Sequence, residues 1–366
     1  MTVSRPGVAG PEVRVLALEG FRLLVRSGVS GAADAVVAML TPPCADETPA
    51  VGAQDWTLEI LHGPAAAPYD DTGDLVVCLP YSGRRLAVRD TAGAVLRLTA
   101  CYRPGAPAAG IEVDVRARTT RLLVAEGDGV GVRWADWLAR VFFASRLLAA
   151  GWRMLHASAV ELEGRALVFL AASGGGKSTL AHRAVREVGA RLLADDLVLV
   201  RPGRPVIGWP TRIALPADLD GVAPDTGRRE HRIMNGWNRQ RVLFTPAEHR
   251  QVLGVRSTGP TPCGVLIVVE NPGDDAPVTA GPAAPETVKE ALRRAAAVTR
   301  QQVYVSDPIG LMGGPRLADH AVTPPPEEDL AEGRPVARLA VPARVLPTAQ
   351  VWDVLAPVIP AIGDRR

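Results

Sequence analysis

Apolar and polar residues alternate in short runs along the N-terminal part of the chain. The runs are rich in β-branched and aliphatic residues, which is typical of half-buried β-strands. They cover residues 13–18, 21–26, 56–61, 75–79, 85–89, 95–99 and 121–124. The longer separators, 41–54 and 104–110, are rich in Pro, Gly and Ala and are predicted as loops. We therefore predict a β-rich region over residues 1–132, with a structural or substrate-recognising role.

The spacing of apolar residues changes to that of a helix at the end of this region. Large apolar residues recur mostly at steps of three and four: Trp134, Trp137, Leu138, Val141, Phe142, Leu147 and Leu148. Such spacing places them on one face of an α-helix. We predict a connecting helix over 133–150 and expect its Trp and Phe side chains to lie in the core rather than on a ligand.

The second half of the chain mixes strand-like and helix-like segments. Two apolar runs, 156–162 and 165–171, meet across Glu163-Gly164 and predict a β-hairpin. After a glycine-rich segment, the pattern predicts a helix over 178–188, a strand over 191–194, and paired strands over 197–201 and 206–209. The remaining predictions are a basic, loop-rich stretch over 210–255, strands over 265–269 and 302–305, a helix over 286–298, and a Pro-rich tail over 321–366 with a short helix at 350–355. This order predicts an α/β domain with a mixed sheet over residues 151–320.

The composition restricts the classes of protein that fit. Apolar residues make up 47% of the 366, so the chain can bury a core. Its 41 basic and 39 acidic residues give a net charge of +2, which provides no general field for attracting nucleic acid. No apolar run reaches the ~18 residues that a membrane span needs, and the first ten residues lack a signal-peptide pattern. We expect a cytoplasmic protein that binds neither nucleic acid nor membrane.

The four cysteines agree with that location. Cys44, Cys78, Cys101 and Cys263 show neither a CxxC spacing nor a histidine at zinc-ligand spacing. We expect reduced thiols that are mostly buried, as in cytosolic proteins.

The segment Ser173-Gly174-Gly175-Gly176-Lys177-Ser178-Thr179 matches a phosphate-binding loop between a strand and a helix. Its glycines let successive backbone N–H groups converge on phosphate oxygens, and the helix N-terminus adds its dipole. Lys177, one of only two lysines in the chain, would reach the β- and γ-phosphates, and Ser178 would bind Mg²⁺. The strict pattern has a glycine where Ala171 stands. The alternative interpretation is a flexible glycine-rich linker.

Two further positions carry candidate chemistry. Asp195-Asp196 follow Lys177 by 18 and 19 residues, at the end of a predicted strand. Carboxylates at such a place are positioned to hold Mg²⁺ or to accept a proton from an attacking hydroxyl. A turn or a helix cap is the alternative role for this pair. His156 begins the strand that pairs with the loop-bearing strand, where a structural histidine is the alternative to a catalytic one.

A family resemblance rests on these residues. His156-Ala157-Ser158-Ala159-Val160, the segment 171–179 and Leu193-Ala194-Asp195-Asp196 resemble the C-terminal kinase domain of bacterial HPr kinase/phosphorylase. Short HPr-kinase-like proteins share the pattern, and phosphoenolpyruvate carboxykinases share it more distantly. The resemblance spans about 150–270 and is strongest over 156–200. Its most specific feature is the short gap between the loop lysine and the paired aspartates.

The resemblance implies a fold, cofactors and roles. It implies a mixed-sheet, HPr-kinase-like α/β domain with a phosphate-binding loop (P-loop) that uses ATP and Mg²⁺. Asp195 is implied as the general base for the attacking hydroxyl, Asp196 and Ser178 as the groups that organise the metal, and His156 as a neighbour of the transferred phosphoryl group. Arg239-Gln240-Arg241 resembles a basic segment that related short kinases place after the aspartates, so Arg241 is implied at the phosphates. A solvated basic loop is the alternative for that segment.

Two departures narrow the resemblance. The Glu-Ile/Val-Arg-Gly pattern associated with phosphorylase activity is absent, and the nearest stretch is Arg229-Glu230-His231-Arg232-Ile233. Thr179 stands where the full-length sensor kinases usually carry Glu. The resemblance is therefore to the divergent short kinases, some of which resemble tailoring kinases that phosphorylate a serine of a ribosomal peptide precursor.

The sequence therefore predicts an ATP-dependent kinase acting on a hydroxyl. The acceptor stays open between a serine of a peptide or protein and a small-molecule alcohol, as do the choice of ATP or GTP and assembly into a homo-oligomer. A non-catalytic nucleotide-binding regulator that recognises a partner peptide is the main alternative. A carboxykinase is a further one, although no lysine precedes Lys177 to serve as an additional metal ligand.

Overall fold

The structure is a computed structural model. It describes residues 11–48, 56–64, 66, 75–78, 85–92, 95–101, 108–129, 131–217, 228–234, 237–273, 275–300, 331, 334–342, 345–346 and 350–359. The described residues fall into two compact units, one within Met1–Leu147 and the other within Leu148–Gln301 and His320–Arg366.

The first unit is built on a nine-stranded sheet. Its strands are β1 (Glu12–Leu18), β2 (Phe21–Ser27), β3 (Ala45–Glu47), β4 (Trp56–His62), β5 (Leu75–Cys78), β6 (Arg85–Ala92), β7 (Val95–Cys101), β8 (Ala108–Asp114) and β9 (Thr119–Val124). The strand order is β3-β1-β2-β4-β9-β8-β7-β6-β5. The pairs β2–β4 and β4–β9 are parallel, and the other neighbours are antiparallel. In the described part of this unit, the helices α1 (Ala32–Leu40) and α2 (Arg133–Ala149) accompany the sheet.

The seven predicted strands of this region are confirmed, but both predicted loops are partly wrong. β8 begins inside the predicted loop 104–110, and its alternation is carried by Ala109, Ile111 and Val113, which are all buried. β3 lies inside the predicted loop 41–54 and consists of three exposed residues. Its pairing with β1 uses backbone hydrogen bonds, which leave no apolar pattern in the sequence. Helix α1 was not predicted.

Helix α2 confirms the prediction of a helix with an apolar core face. Trp134, Trp137, Phe142 and Phe143 are fully buried. The two indole rings pack edge to face with centroids 5.3 Å apart, which is a favoured aromatic geometry. These aromatic side chains are therefore core residues, as expected.

Within its described residues, the second unit has a six-stranded mixed sheet, two three-stranded sheets and four helices. Its strands are β10 (Arg153–His156), β11 (Ser158–Leu162), β12 (Arg165–Leu170), β13 (Arg191–Ala194), β14 (Leu197–Val200), β15 (Ile207–Gly208), β16 (Ile213–Pro216), β17 (Arg228–Met234), β18 (Trp237–Phe244), β19 (Cys263–Glu270), β20 (Thr279–Pro282) and β21 (Val336–Ala340). Its helices are α3 (Lys177–Glu187), α4 (Pro246–Leu253), α5 (Pro285–Arg300) and α6 (Val351–Leu355). The main sheet has the order β13-β11-β12-β19-β21-β20, and the smaller sheets are β10-β14-β15 and β16-β18-β17.

Strand β12 lies inside the main sheet and is buried on both faces. It pairs antiparallel with β11 and parallel with β19. Leu167 and Phe169 belong to a core cluster with residues of α3, whereas Val168 and Leu170 belong to a second cluster with residues of α5. Successive residues of a strand point to opposite faces. A strand with helices packed on both faces therefore needs apolar side chains at successive positions. The α/β class predicted from the sequence is confirmed.

Three predictions for this unit are wrong. His156 does not begin the strand that pairs with β12; it ends β10, which pairs with β14 in a separate sheet. Residues 210–255 were predicted as a basic, loop-rich stretch, but the described residues among them form β16, β17, β18 and α4. The many arginines of β17 and β18 conceal the strand pattern, since ladder hydrogen bonds need no particular side chain. The predicted Pro-rich tail contributes β21 to the main sheet, parallel to β19, and α6 packs its apolar side chains into a core cluster. The short helix predicted at 350–355 is confirmed, and the strand predicted at 302–305 lies outside the described residues.

Helix α3 is tied to the C-terminal segment by a polar cluster. Arg183 contacts Glu187 with two hydrogen bonds of 2.6 and 2.8 Å, and it donates to the Leu346 carbonyl at 2.5 Å. The Trp352 indole N–H donates to Glu187 Oε2 at 2.8 Å. The segment after residue 340 therefore fixes the helix that follows the glycine-rich loop.

We expect Trp352→Phe to lower the free energy of unfolding of this unit by about 1 kcal/mol, because the phenyl ring keeps much of the packing but lacks the N–H donor. In a Glu187→Ala background the same substitution should cost measurably less, since the acceptor is already gone. Denaturant unfolding of the four proteins measures this coupling. Equal effects of Trp352→Phe in both backgrounds would show that the hydrogen bond contributes nothing.

Two general expectations can be compared with the described residues. Cys44, Cys101 and Cys263 have free thiols; Cys44 is buried and the other two are partly exposed. Within the described part of the chain, no helix is long and apolar enough to cross a membrane.

Candidate active site

The glycine-rich segment forms a tight turn between β12 and α3. Gly174 and Gly176 adopt φ values of 76° and 90°, in the left-handed region that favours glycine. The Gly175 N–H donates to the Ala172 carbonyl at 3.0 Å, and a Cβ on Gly175 would lie 2.9 Å from the Ala171 Cβ. Ala171 itself is not among the described non-glycine residues with positive φ, so an alanine fits where the strict pattern has glycine. This strand–turn–helix arrangement was predicted from the sequence.

We expect Gly176→Ala to lower the free energy of unfolding by about 2 kcal/mol or more, because it combines backbone strain with a steric overlap. Its Cβ would lie 1.9 Å from Leu346 Cδ2. Gly203→Ala is the matched control, since Gly203 has a φ of 69° and open space at the Cβ position, so it should cost only about 1 kcal/mol. Chemical denaturation of both variants measures the difference. Equal losses would contradict a tight contact between the turn and Leu346.

Lys177 is held inward at the first position of α3. Its side chain is only 6% exposed, and Nζ donates to the carbonyls of Ala171 and Ala172 at 3.0 and 3.1 Å. Burial lowers the pKa of Lys177 to about 8, and the charges of Asp196 and Asp195 oppose that shift. The ammonium is thus protonated at neutral pH, next to two carboxylates and to the start of a helix. Helix α3 has no side-chain cap, as Gly176 occupies the N-cap position.

The paired aspartates lie where the chain crosses from one sheet to another. Strand β13 belongs to the main sheet and β14 to a three-stranded sheet, and Asp195-Asp196 connect them. The chain makes a second crossing at Ala157, between β10 and β11. The two crossings are hydrogen-bonded to each other, with the Ala157 N–H donating to the Asp196 carbonyl at 3.1 Å and the Ser158 hydroxyl to the Asp195 carbonyl. These contacts bring the histidine of β10 next to the aspartates.

Asp195 is a buried carboxyl group with few partners. It is 6% exposed, and its Oδ2 accepts the Ala214 N–H at 3.2 Å. Burial raises the pKa of Asp195 to about 6, and the charge of Asp196 adds to the rise. A hydrogen bond from the Ser178 side chain and the one from Ala214 oppose it. The group can therefore exchange a proton near neutral pH, which is what a general base requires.

Asp196 is more accessible and is held by His156. The His156 Nε2 lies 3.2 Å from Asp196 Oδ1, and 37% of the Asp196 side chain is exposed. This contact follows from the strand register. His156 of β10 is paired with Leu197 of β14, the residue that comes directly after Asp196. The structure thus places the predicted histidine against the second aspartate.

Arg241 approaches the site through a backbone group. Its Nη1 donates to the Ala214 carbonyl at 2.7 Å. The N–H of Ala214 in turn donates to the Asp195 carboxylate. The positive charge of Arg241 lowers the pKa of Asp195 slightly against the larger effect of burial. Strand β18 carries Arg241, so the alternative of a solvated basic loop is wrong for this residue.

The remaining predicted residues lie on the turn or at the start of α3. Ser173 and Gly174 are exposed, whereas Ser178 and Thr179 are partly buried in the first turn of the helix. Sequence reasoning missed two contributors, the Ala214 backbone N–H and the imidazole of His249, which lines a small cavity with Asp195 and Ser178. A backbone donor leaves no trace in residue identity, and His249 lies in a stretch predicted as loop.

The side chains that the structure describes do not form a metal site by themselves. Among the described residues, no group of three or more His, Cys, Asp or Glu side chains is arranged to hold a metal ion. Mg²⁺ usually takes one or two carboxylates together with waters and substrate phosphates. The accessible carboxylate of Asp196 and the hydroxyl of Ser178 fit that smaller requirement.

Comparisons with known proteins do not show a family for this chain. No protein-family model matches the chain, and no curated protein matches it. One solved structure that it resembles is the Hpr(Ser) kinase/phosphatase from Coxiella burnetii, at 14% sequence identity and a TM-score of 0.20 over 34% of this chain and 69% of that chain. At that TM-score the likeness supports no inference about the chemistry.

Proposed function

We propose that the chain is an ATP-dependent kinase that transfers the γ-phosphoryl group to a hydroxyl acceptor. One observation supports this most strongly. Lys177 and Ser178 begin a helix directly after a glycine turn, and both are coupled to the carboxylates of the aspartate pair. A cation, a hydroxyl and two carboxylates around one helix N-terminus are the groups that phosphoryl transfer needs.

Nucleotide phosphates would bind at the turn and the start of α3. Backbone N–H groups of the first helical turn have no partners within a helix, and the helix dipole favours negative charge there. The turn residues Ser173 and Gly174 are open to solvent. Lys177 would exchange its two carbonyl acceptors for phosphate oxygens, since a flexible ammonium can make that exchange by rotation of its stem.

Asp195 is proposed as the base for the acceptor. As the acceptor oxygen bonds to the γ-phosphorus, its proton passes to the Asp195 carboxylate, and the bond from the γ-phosphorus to the bridging oxygen breaks to release ADP. The Ala214 N–H holds one carboxylate oxygen of Asp195 in place. A base with a pKa near 6 is largely ionised at neutral pH and still accepts a proton from a hydroxyl that is losing it.

Asp196 and Ser178 are proposed to hold Mg²⁺, which when bound neutralises charge on the phosphates. His156 orients the Asp196 carboxylate through its 3.2 Å contact. Arg241 is proposed to face the phosphates from β18. The acceptor is proposed to be a serine of a peptide or protein or a small-molecule alcohol, including the tailoring of a peptide natural product.

Transfer of label from ATP labelled at the γ-phosphorus tests the function. The protein would be incubated with Mg-ATP and panels of serine-containing peptides and small alcohols, and calorimetry would measure nucleotide binding in parallel. Label in an acceptor supports the kinase. Tight binding of Mg-ATP without transfer to any acceptor supports the nucleotide-binding regulator instead, and a lack of heat with any Mg-nucleotide overturns both.

A further inference from the structure

A small cavity lies beside Asp195, on the side of the helix α4. The polar residues of its lining are Ser178, His182, Asp195 and His249. Its volume is about 10 Å³, which is close to the smallest space that holds one water molecule. Five of the nine lining residues are hydrocarbon side chains, so the polar groups available to an occupant are the serine, the aspartate and the two imidazoles.

His249 has an unusual position in this cavity. It is 2% exposed, and neither of its ring nitrogens has a hydrogen-bond partner among the residues that the structure describes. Burial lowers the pKa of His249 to about 4, and the charges of His182 and Arg250 add to the effect. The ring is therefore neutral at working pH, with one nitrogen that donates and one that accepts.

The imidazole is held in place by its surroundings. Helix α4 begins with a capping box between Thr245 and Glu248, and the His249 N–H donates to the Thr245 carbonyl at 2.9 Å. The ring packs against those of Phe244 and His182, with centroids 6.0 and 6.4 Å away. A buried polar ring with this much support usually has a partner, because a buried nitrogen that lacks one loses its hydration without compensation.

We propose that the cavity is a site for one water molecule that links His249 to the Asp195 carboxylate, and that His249 is thereby a positioning residue for the proposed base. The inference rests on the proposed kinase function for its catalytic consequence. Oδ2 of Asp195 accepts the Ala214 N–H, and the water would supply a further donor from the protein interior. Together the two donors would fix the orientation of the carboxylate, which the proposed base needs for proton transfer. A displaced catalytic group costs rate rather than substrate affinity.

Substitution of His249 separates this role from simple packing. His249→Leu is expected to lower kcat about 10-fold while the KM for Mg-ATP stays within about twofold. His249→Gln keeps one donor and one acceptor and should recover most of the lost kcat. Val185→Ala is the matched control, since it alters the same cavity without touching a polar group and should leave kcat unchanged even if the melting temperature falls.

The site itself is tested without any assay of activity. A crystal structure of the full chain at a resolution that shows ordered solvent should contain one water within hydrogen-bond distance of a His249 nitrogen and an Asp195 oxygen, and the His249→Leu structure should lack it. A dry cavity in the wild type would overturn the inference, as would equal kinetic losses for Leu and Gln at 249. If the wild type binds this water but transfers no phosphoryl group, the proposed function fails and the water site stands.

Discussion

Replacing Lys177 by alanine is expected to lower kcat for phosphoryl transfer by about 100- to 1000-fold, the range that removal of a single preorganised charge-stabilising donor typically costs. Transfer of a phosphoryl group depends mainly on positioning and on neutralising the charge of the phosphate oxygens. Lys177 is protonated at neutral pH, because its pKa of about 8 lies above it. The described geometry supplies one other cation near the site, Arg241, whose Nη1 donates to the Ala214 carbonyl.

The chain offers a matched control for this substitution. Lys289 is the only other lysine; it pairs with Glu286 at 3.5 Å on α5, and Lys289→Ala should transfer phosphoryl at the wild-type rate. Lys177→Arg is expected to fail as well, because a planar guanidinium cannot replace a compact ammonium in so buried a place. Steady-state kinetics of the three variants measures these effects. Wild-type transfer by Lys177→Ala would remove the phosphate-binding role from this turn.

Loss of activity in Lys177→Ala should not reflect loss of the fold. The folded state lowers the Lys177 pKa from 10.5 to about 8, so it binds fewer protons than the unfolded chain between these values. Stability therefore rises as the pH increases through that window, and below it the buried ammonium is a net cost. The alanine variant is accordingly expected to melt at the same temperature as the wild type or higher at pH 7. A lower melting temperature would contradict this.

Local sequence patterns predicted the parts of the site that are close together along the chain. The hairpin of β11 and β12 turns at Glu163-Gly164, both of which have positive φ. The glycine turn comes directly after β12. The apolar run that ends at Ala194 predicted that the two aspartates lie at the end of a strand. Each of these features is set by neighbours in sequence, through turn chemistry and strand alternation.

Features that depend on distant backbone contacts could not be predicted in this way. Nothing in the run from residue 153 to 162 reveals that its two halves join different sheets, yet that crossing at Ala157 is what brings His156 to Asp196. The Ala214 N–H reaches Asp195 across 19 residues. Strand β21 is an ordinary apolar run within a Pro-rich stretch, and its membership of the sheet is decided by pairing with β19. Tertiary context overrides local preference in such places.

Asp195→Asn is expected to abolish the base and to lower kcat by about 1000-fold, within the range that general acid–base catalysis typically contributes. In the wild type, kcat/KM should follow the ionised fraction of this carboxyl group. Since its pKa is about 6, the rate should fall about tenfold per pH unit well below 6. It should fall again well above pH 8, because Lys177, with a pKa of about 8, loses its charge there. A pH profile of kcat/KM measures this. A flat profile from pH 5 to 8 would assign the proton to another group.

The same substitution is expected to stabilise the protein, which separates the role of Asp195 in catalysis from any role in folding. The folded state raises the pKa of Asp195 from 3.8 to about 6, so it binds more protons than the unfolded chain between these values. Stability is therefore lost as the pH rises through this window, and above it the buried charge costs up to about 3 kcal/mol. Asp195→Asn carries no charge and should unfold at higher denaturant concentration than the wild type at pH 8, with the difference shrinking below pH 4. Asp196→Asn is the control, because that side chain is more exposed and should change stability little while still impairing transfer. If Asp195→Asn were less stable than the wild type at pH 8, the favourable contacts of the Asp195 carboxylate would have to outweigh the cost of burying its charge.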